Sequence, residues 1–187
     1  MAVYSKVLTG KTIRMRAMEE SDAEVTFKMR NDPERTRFLN PPPESVEAQR
    51  IYIAKQRESV DGYYFIIEDL EGNPIGMKAL SDYCPEMKTV ESGRFIGFGS
   101  QIQHIEALIM GFDFAFDVLG VDKVLMTVIE NNKAMYSLQQ RLGAKETKRV
   151  FMPAFGCDSI HSELNRNDYL EARKKAENII ERFSGRK

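Results

Sequence analysis

The sequence predicts an α/β fold, of the mixed α+β kind, from three observations. Three strand-like segments follow one another between residues 63 and 98. A long apolar helix, a buried strand, a short helix and further strands come next, and this alternation builds a mixed sheet with helices packed on it. No Pro/Gly/Ser-rich or charged linker divides the 187 residues. Residues 1–187 therefore read as one domain, with a charged C-terminal helix over 168–183 as an appendage.

Each element has a local reason. Residues 12–18 alternate polar and apolar, as a half-buried strand does. Ser21 and Glu24 have capping-box spacing and open a helix to about Arg30, with Ala23, Phe27 and Met29 inward. Pro33 stops that helix, because proline disfavours helix in the residue before it. Pro41, Pro42 and Pro43 make a stiff turn. Ser45 opens a second helix with Ala48, Ile51, Tyr52 and the stem of Lys55 on one face.

Residues 63–68 are aromatic and β-branched, 69–73 are loop formers and 74–80 are again strand-like, which reads as a hairpin. A further strand spans 89–98, broken by Gly93 and Gly97. The long helix runs over 102–119, and Gly120 ends it in the left-handed conformation. Residues 123–129 form a buried strand. Asn131 or Asn132 caps a short helix that reaches Leu142 and stops at Gly143. Strands follow over 148–152 and 159–164, and Asn167 caps the last helix.

Composition narrows the class. Lys and Arg number 27 against 28 Asp and Glu, which argues against a nucleic-acid or anionic-membrane partner. Cys84 and Cys157 have neither CxxC spacing nor the number for a disulfide framework. No metal site is expected from them. The N-terminus lacks the apolar core of a signal peptide, and no apolar run reaches the ~20 residues of a membrane span. A cytoplasmic protein is the expectation.

The stretch GFGSQIQHIE, residues 97–106, carries the chemical question. Ser100 and Gln103 have capping-box spacing, so a helix starts near Gln101. Its first amides lack intrahelical partners and carry the positive end of the dipole, where anions bind. Gly97 and Gly99 allow close backbone approach. An ordinary cap explains the same residues.

From Phe98 to Ala144 the chain resembles the GCN5-related N-acetyltransferases, the GNAT superfamily. In that family a strand leads through a Q/R-x-x-G-x-G/A loop into a long helix, then a strand and an N-x-x-A-x-x-L-Y-x-K-x-G-F segment. Here the helix carries Ala107, Leu108, Phe114 and Gly120, and the strand is 123–129. Matched on the final glycine, Asn132, Leu138, Arg141 and Gly143 take the family positions. The strand, split helices and hairpin of the first half also fit, so the resemblance spans about residues 11–164.

The resemblance implies the GNAT fold, a central twisted mixed sheet flanked by helices. It implies transfer of an acetyl group from acetyl-CoA to a primary amine by direct attack. Phe98, Gly99, Ser100, Gln101, Ile102, Gln103, His104, Asn132 and Tyr136 would then contact the coenzyme. The family's two loop glycines fall on Ile102 and His104, and its thiolate-protonating tyrosine falls on Gln139. Tyr136, one helical turn earlier, is expected to take the acid's place. An oxyanion donor is expected among the amides of residues 95–98. Glu91, His104 and Asp82 are candidates for removing the ammonium proton.

Met29, Arg30, Asn31 and Asp32 resemble a W-R-N-D segment of acetyltransferases that act on amino-sugar nucleotides, which places Arg30 and Asn31 at the acceptor. Arg30 suits a diphosphate or carboxylate. The RimJ/RimL branch, acting on protein N-termini, is the neighbouring resemblance. Three readings stay open: acetylation of a small amine, with an amino-sugar nucleotide first; acetylation of a protein or peptide amine; and a non-catalytic acyl-CoA or ligand-binding protein. A homodimer is compatible with the family.

Overall fold

The computed structural model describes residues 3–184. Within them eight strands form one sheet. They are β1 (Leu8–Thr9), β2 (Ile13–Ala17), β3 (Tyr63–Asp69), β4 (Pro74–Cys84), β5 (Thr89–Gly97), β6 (Lys123–Ile129), β7 (Lys145–Met152) and β8 (Cys157–Asn165). Their order is β1-β2-β3-β4-β5-β6-β8-β7. Neighbours run antiparallel except β5 and β6, which are parallel. The mixed sheet expected from the sequence is present.

Period-two alternation splits the core in two. On one face, Ile66, Met77 and Ile96 meet Ala23, Met29 and Ile53 from helices α1 (Ala23–Arg30) and α3 (Val46–Glu58). On the other, Phe65, Ile67 and Leu80 meet α4 (Gln101–Asp113) and α6 (Arg166–Ser184). The adjacent residues Phe65, Ile66 and Ile67 thus serve opposite faces, as a pleated strand requires.

Several local expectations are corrected. Ser21 and Glu24 do not start the first helix. Glu19 and Asp22 form the capping box, around a 3-10 turn at Glu20–Asp22. Asp22 is drawn in because Arg16 donates to both of its oxygens, at 2.7 and 2.8 Å. In α1, Thr26 is buried where Phe27 was expected, and Phe27 is only half-buried. In α3 the inner residues are Gln49 and Ile53, while Ile51 is 62 % exposed. A buried glutamine misleads hydropathy, but Gln49 is satisfied by donating to Thr26 Oγ1 at 3.0 Å. Ser45 caps α3 as expected, accepting from the Ala48 amide at 3.0 Å.

A short helix, α2 (Pro33–Thr36), was not expected. Pro33 stops α1 and starts α2, since a first-turn proline loses no intrahelical bond. Asp32 caps it, accepting from the amides of Glu34 and Arg35. The long helix also ends differently. After Asp113 it widens into a π turn, Phe114–Val118, closed by Leu119 N–H to Phe114 O at 3.0 Å. Gly120 follows with φ +68°, the left-handed stop the sequence calls for.

The last helix is no appendage. Tyr169, Ala176 and Ile180 of α6 belong to the same apolar cluster as α4. Tyr169 is 1 % exposed, and its hydroxyl donates to Asp113 at 2.6 Å. Arg173 grips the same carboxylate at 2.8 and 3.0 Å. Most of the charged residues that suggested a detached helix lie exposed on its outer face, while Arg173 turns inward to Asp113.

One core residue is out of keeping with its surroundings. Lys78 of β4 is 0 % exposed and its Nζ has no hydrogen-bond partner. The ammonium lies 5.4 Å from the Phe112 ring centroid and fills space that Gly111 leaves open. Burial lowers its pKa from 10.5 to about 7. The unfolded chain thus binds more protons between those values, so this residue's contribution rises as pH climbs from 7 to 10.5. Below that window the full cost of a buried charge remains. Lys78→Met should raise Tm by at least ~3 °C at pH 6, with a smaller gain at pH 10. A gain independent of pH would contradict this assignment.

Candidate active site

The sheet opens where the parallel pair β5 and β6 fails. β5 and β6 pair through Thr89, Val90 and Glu91 against Lys123, Val124 and Leu125, and no further. Beyond Glu91 the strands diverge. β5 is bent there by a bulge against β4 between Met77 and Ala79, with Arg94 at φ +53°. The Phe98 amide donates to Ile75 O at 2.7 Å on the β4 side. By alternation the N–H and C=O of Gly97 face the open side. Gly97 O accepts from Arg35 there, at 2.8 Å.

Two cavities occupy the wedge. A groove of about 540 Å³ runs past Gly97, Gln101 and His104 to α5 (Lys133–Arg141), with Arg35, Arg37 and Arg141 along it. A cleft of about 310 Å³ lies between β5 and β6 and holds Asp82, Glu91, Arg94 and Gln139. Phe38, Phe95, Asn132 and Met135 line both, so the cavities meet at the split.

The helix start is as expected and partly used up. Ser100 and Gln103 cap one another: Gln103 N–H to Ser100 Oγ at 3.3 Å, and Ser100 N–H to Gln103 Oε1 at 2.8 Å. Gly99 leaves the room Gln103 needs, since a Cβ there would lie 2.6 Å from Oε1. Of the residues expected at the coenzyme, Gln101, His104 and Asn132 line the groove. Phe98, Gly99, Ser100, Ile102 and Gln103 do not. Ile102 packs toward the core rather than over the helix start. Phe98 is covered by the Arg35 guanidinium, 4.4 Å from its ring centroid.

His104 stands at the junction. Its ring meets Phe95 edge-on at 5.4 Å and takes the space above Gly97, where a Cβ would come within 2.4 Å of Nε2. That Nε2 is buried without a partner. Burial, then the charge of Arg35, lowers its pKa, so the ring is neutral near pH 7. Gln139, at the family's acid position, is 6 % exposed in the cleft with Oε1 unpaired. Tyr136 lies elsewhere. Its hydroxyl donates to Glu146 at 2.8 Å, that bond holds its pKa up, and it lines neither cavity. Its hydroxyl is instead drawn to Glu146 on β7.

Glu91 sits in the cleft, and burial, then the charge of Asp82, pushes its pKa above the usual carboxylate value. Such a carboxylate is suited to take a proton. Arg30 and Asn31 separate. Arg30 donates to the carbonyls of Asn40 and Pro41 at 2.8 and 2.9 Å and lines a third cavity beside the cleft. Asn31 caps α1 by donating to Phe27 O at 2.9 Å and lines none of these cavities. Arg35 and Arg37 were missed, although Asp32, Pro33 and Glu34 carry a helix-start signal that would have placed them.

An eight-stranded sheet split at one parallel pair, with a cationic groove on one side and an acidic cleft on the other, is a candidate site for transfer between two substrates. The sequence matches the Acetyltransferase (GNAT) domain over residues 12–145, and the chain belongs to that family. It is an acyl-CoA-dependent N-acetyltransferase with acetyl-CoA as co-substrate. None of the curated proteins matches the chain significantly.

Solved structures share the fold at low identity. A GCN5-related N-acetyltransferase from Brucella melitensis is similar with TM-score 0.81 and 16% identity, over 96% of this chain and 87% of the other. FdhC, described as a nucleotide-linked sugar GNAT, gives 0.79 and 21% over 92% and 97%. The Vibrio cholerae spermidine N-acetyltransferase, with CoA and spermine, gives 0.78 and 18% over 86% and 99%. Among the described residues no helix is long and apolar enough to cross a membrane, and no group of three or more His, Cys, Asp or Glu could hold a metal. Cys84 and Cys157 are free thiols.

Charge-assisted hydrogen bonds are worth more than neutral ones. Arg35→Ala and Arg141→Ala should each weaken coenzyme A binding roughly tenfold or more, read by calorimetric titration. Tyr136→Phe should leave kcat within about twofold, because its hydroxyl faces Glu146. A large loss of kcat in Tyr136→Phe would return that residue to the catalytic machinery.

Proposed function

We propose that the chain acetylates the primary amine of a small molecule by direct attack on the thioester of acetyl-CoA. The observation that carries this is the meeting of groove and cleft at four shared residues. A thioester reaching past Gly97 and His104 would face an amine entering beside Glu91.

The fit to the coenzyme rests on groups of this chain. Arg35, Arg37 and Arg141 supply cations for its phosphates, and Gln101 brings the first turn of α4, the positive end of a helix dipole, to the groove. Acetyl-CoA supplies the activated acetyl group. The chain supplies position, which is worth up to ~7–11 kcal/mol of barrier. Glu91 takes the ammonium proton so that the free amine attacks. Amides on the open edge of β5, with Gly97 among them, face the carbonyl oxygen as charge develops. Gln139 has amide hydrogens to offer the departing sulfur but no acidic proton, so the thiolate is protonated from solvent.

An amino-sugar nucleotide is the first acceptor class to screen. The resemblance around Arg30 supports it, as does the likeness to FdhC. Polyamines are the comparison class, because Glu91 and Asp82 suit a cationic amine. Thiol release with an amine panel separates the two acceptor classes.

Glu91→Gln should lower kcat by ~10²–10⁴. In the unaltered enzyme, activity should fall as pH drops through a Glu91 pKa above the usual 4.5, since only the carboxylate accepts the proton. The variant should lose that acidic limb. Retention of the limb in Glu91→Gln would assign the base elsewhere.

A further inference from the structure

A third cavity, of about 450 Å³, opens beside the acceptor cleft and shares Leu39, Asn40 and Arg94 with it. Arg30, Tyr52, Tyr64 and Arg94 give it its polar groups, and Met77 and Pro41 are among its apolar walls. None of its lining residues is an Asp or Glu. Among the described residues neither Arg30 nor Arg94 forms an ion pair, although fifteen ion pairs form elsewhere.

Both guanidiniums are held in place by neutral groups. Arg30 donates through Nη2 to two backbone carbonyls. Arg94 donates through Nη1 to the hydroxyls of Tyr52 and Tyr64. These contacts fix position without neutralising charge. The two cations also repel: burial first, and then the charge of Arg94, disfavour the charged form of Arg30. Arg94 is exposed and its charge also acts on Glu91 of the cleft, whereas on the chamber side two like charges with no acidic neighbour make a potential that attracts an anion. Arg94 reaches the doorway from a strained backbone, φ +53° on a non-glycine residue. Such strain persists where the surroundings enforce it, often at binding sites.

We infer that the acceptor carries an anionic group, a carboxylate or a phosphate, which this chamber holds between Arg30 and Arg94. The inference rests on the acetyltransferase reading for the amine end only. Glu91 and Asp82 line the cleft on the other side of the doorway, so the acceptor spans a cationic chamber and an acidic cleft. Opposed charges at its two ends would also fix its direction in the site.

The test is calorimetric titration of the full chain saturated with coenzyme A. Four amines serve as probes: glucosamine 1-phosphate, muramic acid, glucosamine and spermidine. At least one of the two anionic amines should bind tenfold or more tightly than glucosamine and spermidine, and the tighter of the two names the anion. Arg94→Gln should erase that preference, and Arg94→Lys should keep part of it. Coenzyme A affinity should be unchanged in both variants, which checks that they fold. The inference is overturned if glucosamine or spermidine binds as tightly as both anionic amines, if no probe binds, or if Arg94→Gln weakens all probes alike. Loss of coenzyme A binding in the unaltered chain would instead sink the acetyltransferase reading, because acceptor preference is read by binding and not by turnover.

Discussion

Among the described residues β5 and β6 are the only parallel neighbours in the sheet, they pair over three residues, and then they separate. Much of the site depends on that separation. It leaves the peptide groups of β5 beyond Glu91 without a strand on one side. Buried polar groups without partners cost about 1–3 kcal/mol each, so the open edge must be met by something polar. In this chain Arg35 meets it at Gly97 O. A coenzyme strand of amides can do the same along the rest of the edge. The bulge at Arg94 enforces the divergence by bending β5, and it brings that arginine to the doorway between cleft and side chamber.

The rest of the fold braces the two strands that diverge. β6 is held by β8 along its whole length, from Lys123 against Asn165 to Ile129 against Ser159. β5 is held by β4, which is held in turn by β3. α4 lies across the split and supplies Leu108 and Phe112 to the cleft, with His104 in the groove. α6 anchors α4 through Tyr169 and Arg173 on Asp113. A site built between braced strands keeps its geometry, and positioning is the main work required of an acetyltransferase.

Much of the frame was legible in the sequence, because period-two strands and capped helices carry strong local signals. Residues 123–129 read as a strand with the observed ends, and Ser100, Asn132, Gly120 and Gly143 punctuate the helices as their chemistry suggests. The site was legible only where side-chain direction follows from local structure. Glu91 was reachable because β5 presents it to the split. Tyr136 was not, because its hydroxyl is taken by Glu146 of β7, a tertiary contact that helix periodicity does not show. Arg30 was placed near the acceptor, but its tie to Asn40 and Pro41 and its pairing with Arg94 depend on chain segments far apart in sequence. Arg35 and Arg37 sit on a helix whose start is also the stop of another, and that double role of Pro33 hid them.

Amide hydrogen exchange with and without acetyl-CoA tests the central claim most directly, because it reads the open strand edge itself. Binding should slow exchange in residues 95–104 and 132–141, with a smaller effect at 33–38 as Arg35 exchanges partners. The antiparallel pairs from β1 to β4 should be unchanged. Protection confined to other parts of the sheet, or none at 95–104, would contradict the account of a coenzyme site in the split between β5 and β6.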